Sequence, residues 1–138
     1  ADTSTQKTIQ FELVSPECIL ASEPATMIVI PGESGDFGVL AEHAPMLSSI
    51  RPGVISVHLP SGEVKKIFVA GGFADVKGKQ CSVLAEEAVN VNELNRSDIE
   101  ASLKKLADEV VSTRDNAVAF ANVQTQITIA RAKLAAVA

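Results

Sequence analysis

The sequence predicts an α+β protein in which an antiparallel β-sandwich of about ten strands precedes an antiparallel two-helix hairpin. Three observations carry this prediction. Apolar and polar residues alternate in short runs over residues 1–90, turn signals separate these runs at short intervals, and apolar residues recur every three or four positions over residues 91–138. Strands produce the first spacing and helices the last, so we expect one domain over each range.

The first strand shows the alternation most clearly, because Ile9, Phe11 and Leu13 are separated by polar residues. Further runs rich in β-branched residues lie at 27–30, 54–59, 64–70 and 80–85. The turn signals between them are Pro31-Gly32, Pro52-Gly53, Pro60-Ser61-Gly62, Gly71-Gly72 and Lys77-Gly78-Lys79. Short strands at this spacing are typical of an antiparallel sandwich or barrel rather than a parallel sheet with crossover helices.

The helical part begins with a capping signal. The tetrad Ser97-Asp98-Ile99-Glu100 has the S-x-x-E form, in which the Ser and Glu side chains satisfy free amide groups at a helix start. One apolar stripe follows along the first helix, and a second follows the polar break at 112–116. The stripes are formed by Ile99, Leu103, Leu106 and Val110 and by Phe120, Val123, Ile127, Ala130 and Leu134. Many alanines flank both stripes, which predicts a closely packed helical hairpin.

Composition excludes several classes of function. The net charge is −5, and it belongs to the sandwich: residues 1–90 carry 6 Lys+Arg and 11 Asp+Glu, whereas residues 91–138 carry 6 of each. A nucleic-acid-binding protein needs a clustered basic face, which is absent from this pattern. Cys18 and Cys81 form no C-x-x-C pair and have no histidine at metal spacing, so we expect two reduced thiols, a reducing compartment and no metal site.

Two glycine-rich stretches resemble phosphate-binding loops but fail their spacing rules. PGESGDFG, residues 31–38, has G-x-x-G-x-x-G where a dinucleotide site needs G-x-G-x-x-G before a helix, and its loop is acidic. GFADVKGK, residues 72–79, has one residue too many between its glycines for the P-loop form and lacks the magnesium-binding hydroxyl. We interpret both as turns between strands, with Gly78 in a hairpin turn, and we expect no cofactor.

His43 raises the alternative of a small acid–base enzyme, because Glu42 precedes it and Asp36 lies one short loop away. No G-x-S-x-G elbow or other activated nucleophile accompanies it. The other interpretation is that His43 and Pro45 shape a rigid loop that binds a protein. A third possibility is a regulatory binding module whose helical hairpin captures partner helices.

The sequence closely resembles the epsilon-subunit family of bacterial rotary ATP synthases, the counterpart of the mitochondrial delta subunit. The resemblance is carried by FELVSPE, GDFGVLAEHAPMLSSIRPGV, FVAGGFADV and SVLAEEAV, which begin at residues 11, 35, 68 and 82. The resemblance implies a ten-stranded sandwich with a helical hairpin. It also implies a non-catalytic rotor subunit of the central stalk, which binds the gamma subunit and the membrane c-ring and couples proton flow to ATP synthesis.

The family resemblance also implies sites. Ser15, His43, Ala44 and Pro45 match positions that meet gamma, which would make His43 an interface residue rather than a catalyst. Gly35, Asp36 and Phe37 match the turn that meets polar loops of the c-ring. The implied location is the cytoplasmic face of the bacterial inner membrane or the matrix face of the mitochondrial one, with membrane contact only through the complex.

The helical tail departs from the family pattern. In many relatives the hairpin opens and its basic second helix blocks ATP hydrolysis at the alpha/beta catalytic head. Here Arg131 and Lys133 are the only charges after Asp115. Some relatives bind ATP through an acidic residue and an arginine, which fall on Asn95 and Asp98 in this chain. Asp98 would repel phosphate, so we expect weak or no ATP binding.

Overall fold

The computed structural model describes residues 7–17, 19–41 and 44–137. Contacts divide the chain into two units, one that extends to Val89 and one that starts at Asn90. Each unit has its own kind of secondary structure, strands in the first and helices in the second. No helix among the described residues has the length and apolar character that crossing a membrane requires.

The first unit contains the strands of an α+β fold, as the alternating pattern predicted. The described residues form ten strands. They are β1 Ile9–Val14, β2 Ile19–Ala25, β3 Met27–Gly32, β4 Gly35–Leu40, β5 Met46–Ile50, β6 Gly53–His58, β7 Val64–Val69, β8 Gly72–Lys77, β9 Gln80–Ala85 and β10 Ala88–Asn90. A short 3₁₀ turn at Val91–Glu93 follows the last strand.

The strands form one hydrogen-bonded sheet in the order β10-β7-β6-β3-β5-β8-β9-β1-β2, and β4 pairs with β3. The sheet curls over itself, because Lys65 on β7 and Glu23 on β2, far apart in this order, approach within 3.0 Å. Nearly all pairs are antiparallel, as predicted. β1 and β9 are the exception: they pair in parallel, with Phe11 opposite Cys81. This pairing joins the first two strands to the rest of the sheet, and local turn signals carry no information about it.

The core of the sandwich comes from the inward positions of the alternating strands. Ile9, Phe11 and Leu13 are all buried, as their spacing predicted. Other fully buried members of the same cluster are Ile28, Ile30, Val39, Ile55, Val57, Val69, Ala74, Val76, Cys81 and Val83. These residues leave the opposite side of each strand for solvent or for a partner.

The second unit consists of α1, Arg96–Ser112, and α2, Ala117–Val137. The predicted capping box at Ser97 is wrong: Asn95 is the N-cap, and its side-chain oxygen accepts from the backbone N–H of Asp98 at 3.2 Å. Starting the helix at Arg96 also allows the Arg96–Glu100 ion pair, with 3.1 Å between Nε and Oε1. Asn116 caps α2 in the same way, accepting from the N–H of Ala119 at 3.1 Å.

Both glycine-rich stretches lie in turns between strands. GFADVKGK covers β8 and the turn into β9, where Gly78 has a φ of +55°, so the predicted hairpin turn is confirmed. Gly72 is the most constrained glycine. Its φ is +144°, and a Cβ there would lie 1.9 Å from the carbonyl oxygen of Leu84. The backbones of β8 and β9 approach closely at this point, which only glycine permits.

Candidate protein interface

The β3–β4 turn presents the three residues matched to the c-ring. Gly35 is exposed, has a φ of +138° and would leave open space around a Cβ. Asp36 is exposed and pairs with Arg51. Phe37 is half-buried and packs against the core, and its ring covers Gly32, where a Cβ would lie 2.8 Å from it. The turn therefore presents polar groups to solvent, and the Phe37 ring fixes it to the core.

The residues matched to gamma lie at two ends of one surface. Ser15 directly follows β1 and is half-buried, and its hydroxyl accepts from the N–H of Glu17 at 3.4 Å. Ala44 and Pro45 are exposed and directly precede β5. The pairings place Ser15 level with Ala85, Gly72 and Ile50, so Pro45, five residues before Ile50, lies about 17 Å along the strand from the level of Ser15. His43 and Glu42 lie outside the described residues, so the structure does not place the predicted acid–base pair.

An exposed apolar cluster lies at the Ser15 end of this surface. Phe73 is opposite Leu84, and Leu84 is opposite Val14, so the three side chains form one row across β8, β9 and β1. Phe73 is 52% exposed and Leu84 is 57% exposed. With Pro16 they line a shallow groove of about 390 Å³, with Ser15 and Glu86 also in its lining. We call Val14, Pro16, Phe73 and Leu84 the Phe73 patch.

Sequence reasoning missed Phe73, Leu84 and Arg51 as functional residues. A signal for the first two was present in the alternation of GFADVK and QCSVLA. Phe73 is next to the inward-facing Ala74, and Leu84 is next to the inward-facing Val83, so both large apolar residues point outward. An outward Phe beside an outward Leu is unusual on a solvated sheet face. Arg51 carried no such signal, because its partner Asp36 is 15 residues away in sequence.

The residues predicted to act in the tail lie on the last third of α2. Arg131 is exposed and Lys133 is half-buried. Lys133 lines a cleft of about 300 Å³ between the two helices, together with Glu93, Asn95, Asp98, Ser102 and Gln126. The Asn95 side chain is already engaged as the cap of α1. The cleft thus contains two carboxylates and one ammonium group, a poor match for a polyphosphate.

Cys81 is a buried thiol in the core of the sandwich. Burial, with the Asp75 carboxylate in a smaller role, raises the pKa of the Cys81 thiol to about 12. Such a thiol stays protonated and unreactive at neutral pH. Among the described residues no group of three or more His, Cys, Asp or Glu side chains is placed to hold a metal ion.

Comparison with known proteins reveals likeness over both units. A family model described as the beta-sandwich domain of the ATP synthase delta/epsilon chain matches residues 8–91. The ATP synthase epsilon chain of Rhodospirillum rubrum is 45% identical over 130 residues, which cover 94% of this chain and 96% of that protein.

Two solved assemblies contain chains of the same fold. One is a cryo-EM structure of the Euglena gracilis mitochondrial ATP synthase OSCP/F1/c-ring, with a TM-score of 0.84 and 22% identity over 95% of this chain and 82% of that chain. The other is the central stalk and c-ring of the Tetrahymena thermophila mitochondrial ATP synthase, with a TM-score of 0.63 and 15% identity over 97% and 100% of the two chains. At such identities the likeness concerns the fold alone.

Proposed function

This chain belongs to the ATP synthase delta/epsilon family, and from that membership we propose that it is a non-catalytic central-stalk subunit of a proton-translocating ATP synthase. In this role it binds the gamma subunit and the c-ring, turns with both, and couples proton flow to ATP synthesis at catalytic sites on other subunits. The two similar chains of known structure come from mitochondrial ATP synthase assemblies that contain the c-ring, in one case together with the central stalk, which supports the proposal.

The Phe73 patch is the observation that carries the proposal. Two large apolar side chains are more than half exposed on a sheet whose opposite face is fully packed. Exposed apolar groups on a rigid scaffold are typical of protein-binding surfaces. We assign the gamma subunit to this patch and to Ser15 at its rim, with Ala44 and Pro45 at the far end of the same interface, and His43, outside the described residues, as a further predicted contact.

Binding to purified gamma subunit of the same organism tests this assignment. Phe73→Thr and Leu84→Thr remove the apolar groups and keep residues that suit a strand. If the patch is the centre of the interface, each substitution weakens binding by roughly 30-fold. Val64→Thr is the matched control, since Val64 is 41% exposed on β7, outside the patch. Equal affinity for the three variants and the unaltered chain would contradict the assignment.

We assign the c-ring to the β3–β4 turn through Gly35, Asp36 and Phe37. Asp36→Asn removes the charge of the exposed carboxylate and leaves the packed residues unchanged, so the sandwich should stay folded. Coupling to the c-ring should weaken, measured as proton-driven ATP synthesis by the complex in vesicles. Unchanged synthesis by the variant complex would count against this assignment.

We further propose that the hairpin regulates ATP hydrolysis through Arg131 and Lys133, which supply the only charges on the second helix. Replacing both by Gln should raise hydrolysis by the complex if these charges reach the alpha/beta head, and unchanged hydrolysis would oppose it. The proposed location is peripheral, on the cytoplasmic face of a bacterial inner membrane or the matrix face of a mitochondrial one. The alternative is a small acid–base enzyme that would use His43 with Glu42 or with Asp36, and Asp36 is paired with Arg51.

A further inference from the structure

We propose that Arg51 is a positioning residue, which holds the β3–β4 turn in one orientation and thereby sets the affinity of the turn for the c-ring. The first half, the orientation of the turn, is a property of the isolated chain. The second half rests on the proposed function. Both follow from the contacts that Arg51 makes on the two sides of the turn.

Arg51 directly follows β5 and contacts three residues around the turn. Its backbone N–H donates to the carbonyl of Pro31 at 3.0 Å. One terminal nitrogen of its guanidinium donates to the carbonyl of Gly32, and the other donates to the carboxylate of Asp36. Gly32 is the last residue of β3 and Asp36 lies near the start of β4, so one planar group with fixed donor directions joins the two strands beside the turn.

Backbone pairing of β3 with β4 extends to Gly32 and Gly35 and fixes the base of the turn, so the further contacts concern its exposed tip. Glu33, Ser34 and Gly35 are all exposed, and a Cβ on Gly35 would have open space around it. One backbone hydrogen bond joins this segment to the neighbouring strand: the N–H of Glu33 donates to the carbonyl of Ser49 at 3.0 Å. Beyond this pairing and the Phe37 ring, the guanidinium connects the exposed tip to the segment that follows β5.

The Asp36–Arg51 pair should matter for orientation more than for folding. The two side chains are 61% and 43% exposed, and exposed ion pairs contribute little to global stability. Asp36 thus reaches the partner as half of an oriented pair rather than as a free anion. Loss of either side chain should then disturb the same orientation of the turn. The two reductions in affinity for the c-ring should therefore not multiply in a double variant.

Hydrogen exchange of the isolated chain tests the first half. In Arg51→Ala we expect amides in the peptide that spans residues 32–37 to exchange about two- to fivefold faster, with an unchanged core. Arg51→Lys should fall between, because one ammonium cannot serve both sites equally. Arg96→Ala is the matched control, since Arg96 forms an exposed pair with Glu100 far from the turn in sequence. Unchanged exchange in Arg51→Ala would overturn the inference.

Binding to purified c-ring of the same organism, with gamma present, tests the second half. Asp36→Asn and Arg51→Ala should each weaken binding about two- to fivefold, and the double variant should be no worse than the weaker single one. Multiplied losses would overturn the inference, because Arg51 would then act independently of Asp36. If the unaltered chain does not bind the c-ring, the proposed function fails, and the exchange experiment still decides the role of Arg51.

Discussion

The sandwich and the hairpin differ in how deeply they bury their apolar side chains. Twelve large side chains of the described residues are less than 2% exposed, and all of them belong to the sandwich. The buried residues of the two long helices are Ile99, Val123, Ile127 and Ala130, each between 6% and 9% exposed. The sandwich can therefore hold a fixed surface such as the Phe73 patch, whereas the hairpin is the part whose conformation can change at low cost.

Composition explains the difference. The strands place β-branched and aromatic residues on one face and polar residues on the other, so burial of one face is nearly complete. The second helix has no charged residue from Ala117 to Ala130 and carries alanine on several sides. Its buried residues are three, Val123, Ile127 and Ala130, and helical stability in proteins comes mostly from packing of such a face.

The largest effect should come from breaking the sandwich at Gly72. Gly72→Ala places a Cβ 1.9 Å from a backbone oxygen at a φ that L-residues avoid, so we expect a loss of about 4 kcal/mol or more in the free energy of unfolding. Gly78→Ala is the matched control, because it also has a positive φ but open space around the Cβ. Urea denaturation of both variants measures the difference; similar losses would show that the close approach is not the cause.

Truncation of one buried isoleucine in each unit should have the next largest effect, and the loss of stability should be greater in the sandwich. Ile30→Ala removes a fully buried side chain and should cost about 3–4 kcal/mol, whereas Ile127→Ala, at 9% exposure, should cost about 2 kcal/mol. In Ile127→Ala we expect faster hydrogen exchange in the helices with the sandwich unchanged. A single transition that lowers protection equally in both units would contradict their different stability.

Alkaline pH should weaken the sandwich through Cys81. Its pKa rises from an ordinary 9.0 to about 12 in the fold, so above pH 9 the unfolded chain loses a proton that the folded chain retains. The stabilisation is complete below pH 9 and declines as the pH rises from 9 towards 12, by about 1.4 kcal/mol per pH unit. Cys81→Ala should show a flatter dependence between pH 8 and 10, and Cys18 cancels because both proteins contain it. Identical slopes of unfolding free energy against pH in the two proteins would show that Cys81 is not the cause.

The cap of the first helix should have a smaller and local effect. Asn95→Ala removes the acceptor for the N–H of Asp98 and should cost about 1 kcal/mol of hairpin stability. Ser97→Ala, the position favoured by the sequence pattern, should cost almost nothing. Helical circular dichroism during urea titration measures both. A larger loss of hairpin stability in Ser97→Ala than in Asn95→Ala would contradict Asn95 as the cap and favour the capping box at Ser97.

The smallest expected effect is that of ATP on the hairpin. Asp98 repels phosphate, and the Asn95 side chain is engaged as a cap, so a calorimetric titration should show no saturation up to millimolar ATP. Asp98→Arg, which replaces the repelling charge, provides the comparison and should bind more tightly. Saturation of the unaltered chain in the millimolar range would contradict this prediction.

Local patterns predicted the strands and helices, because alternation and helical periodicity report which side of an element is buried. They did not predict the parallel pairing of β1 with β9, which joins segments about 70 residues apart. They placed the cap of the first helix at Ser97, whereas the cap in the structure is Asn95 and depends on the helix starting at Arg96. The Arg51–Asp36 contact likewise depends on how β3 and β5 meet, which sequence spacing does not encode.

Binding of the whole chain and of the chain truncated after Asn92 to purified gamma subunit tests the central claim most directly. The sandwich carries the Phe73 patch, so we predict that both forms bind one-to-one with similar affinity. Binding by the whole chain alone would move the interface to the hairpin, and binding by neither would contradict the central-stalk assignment.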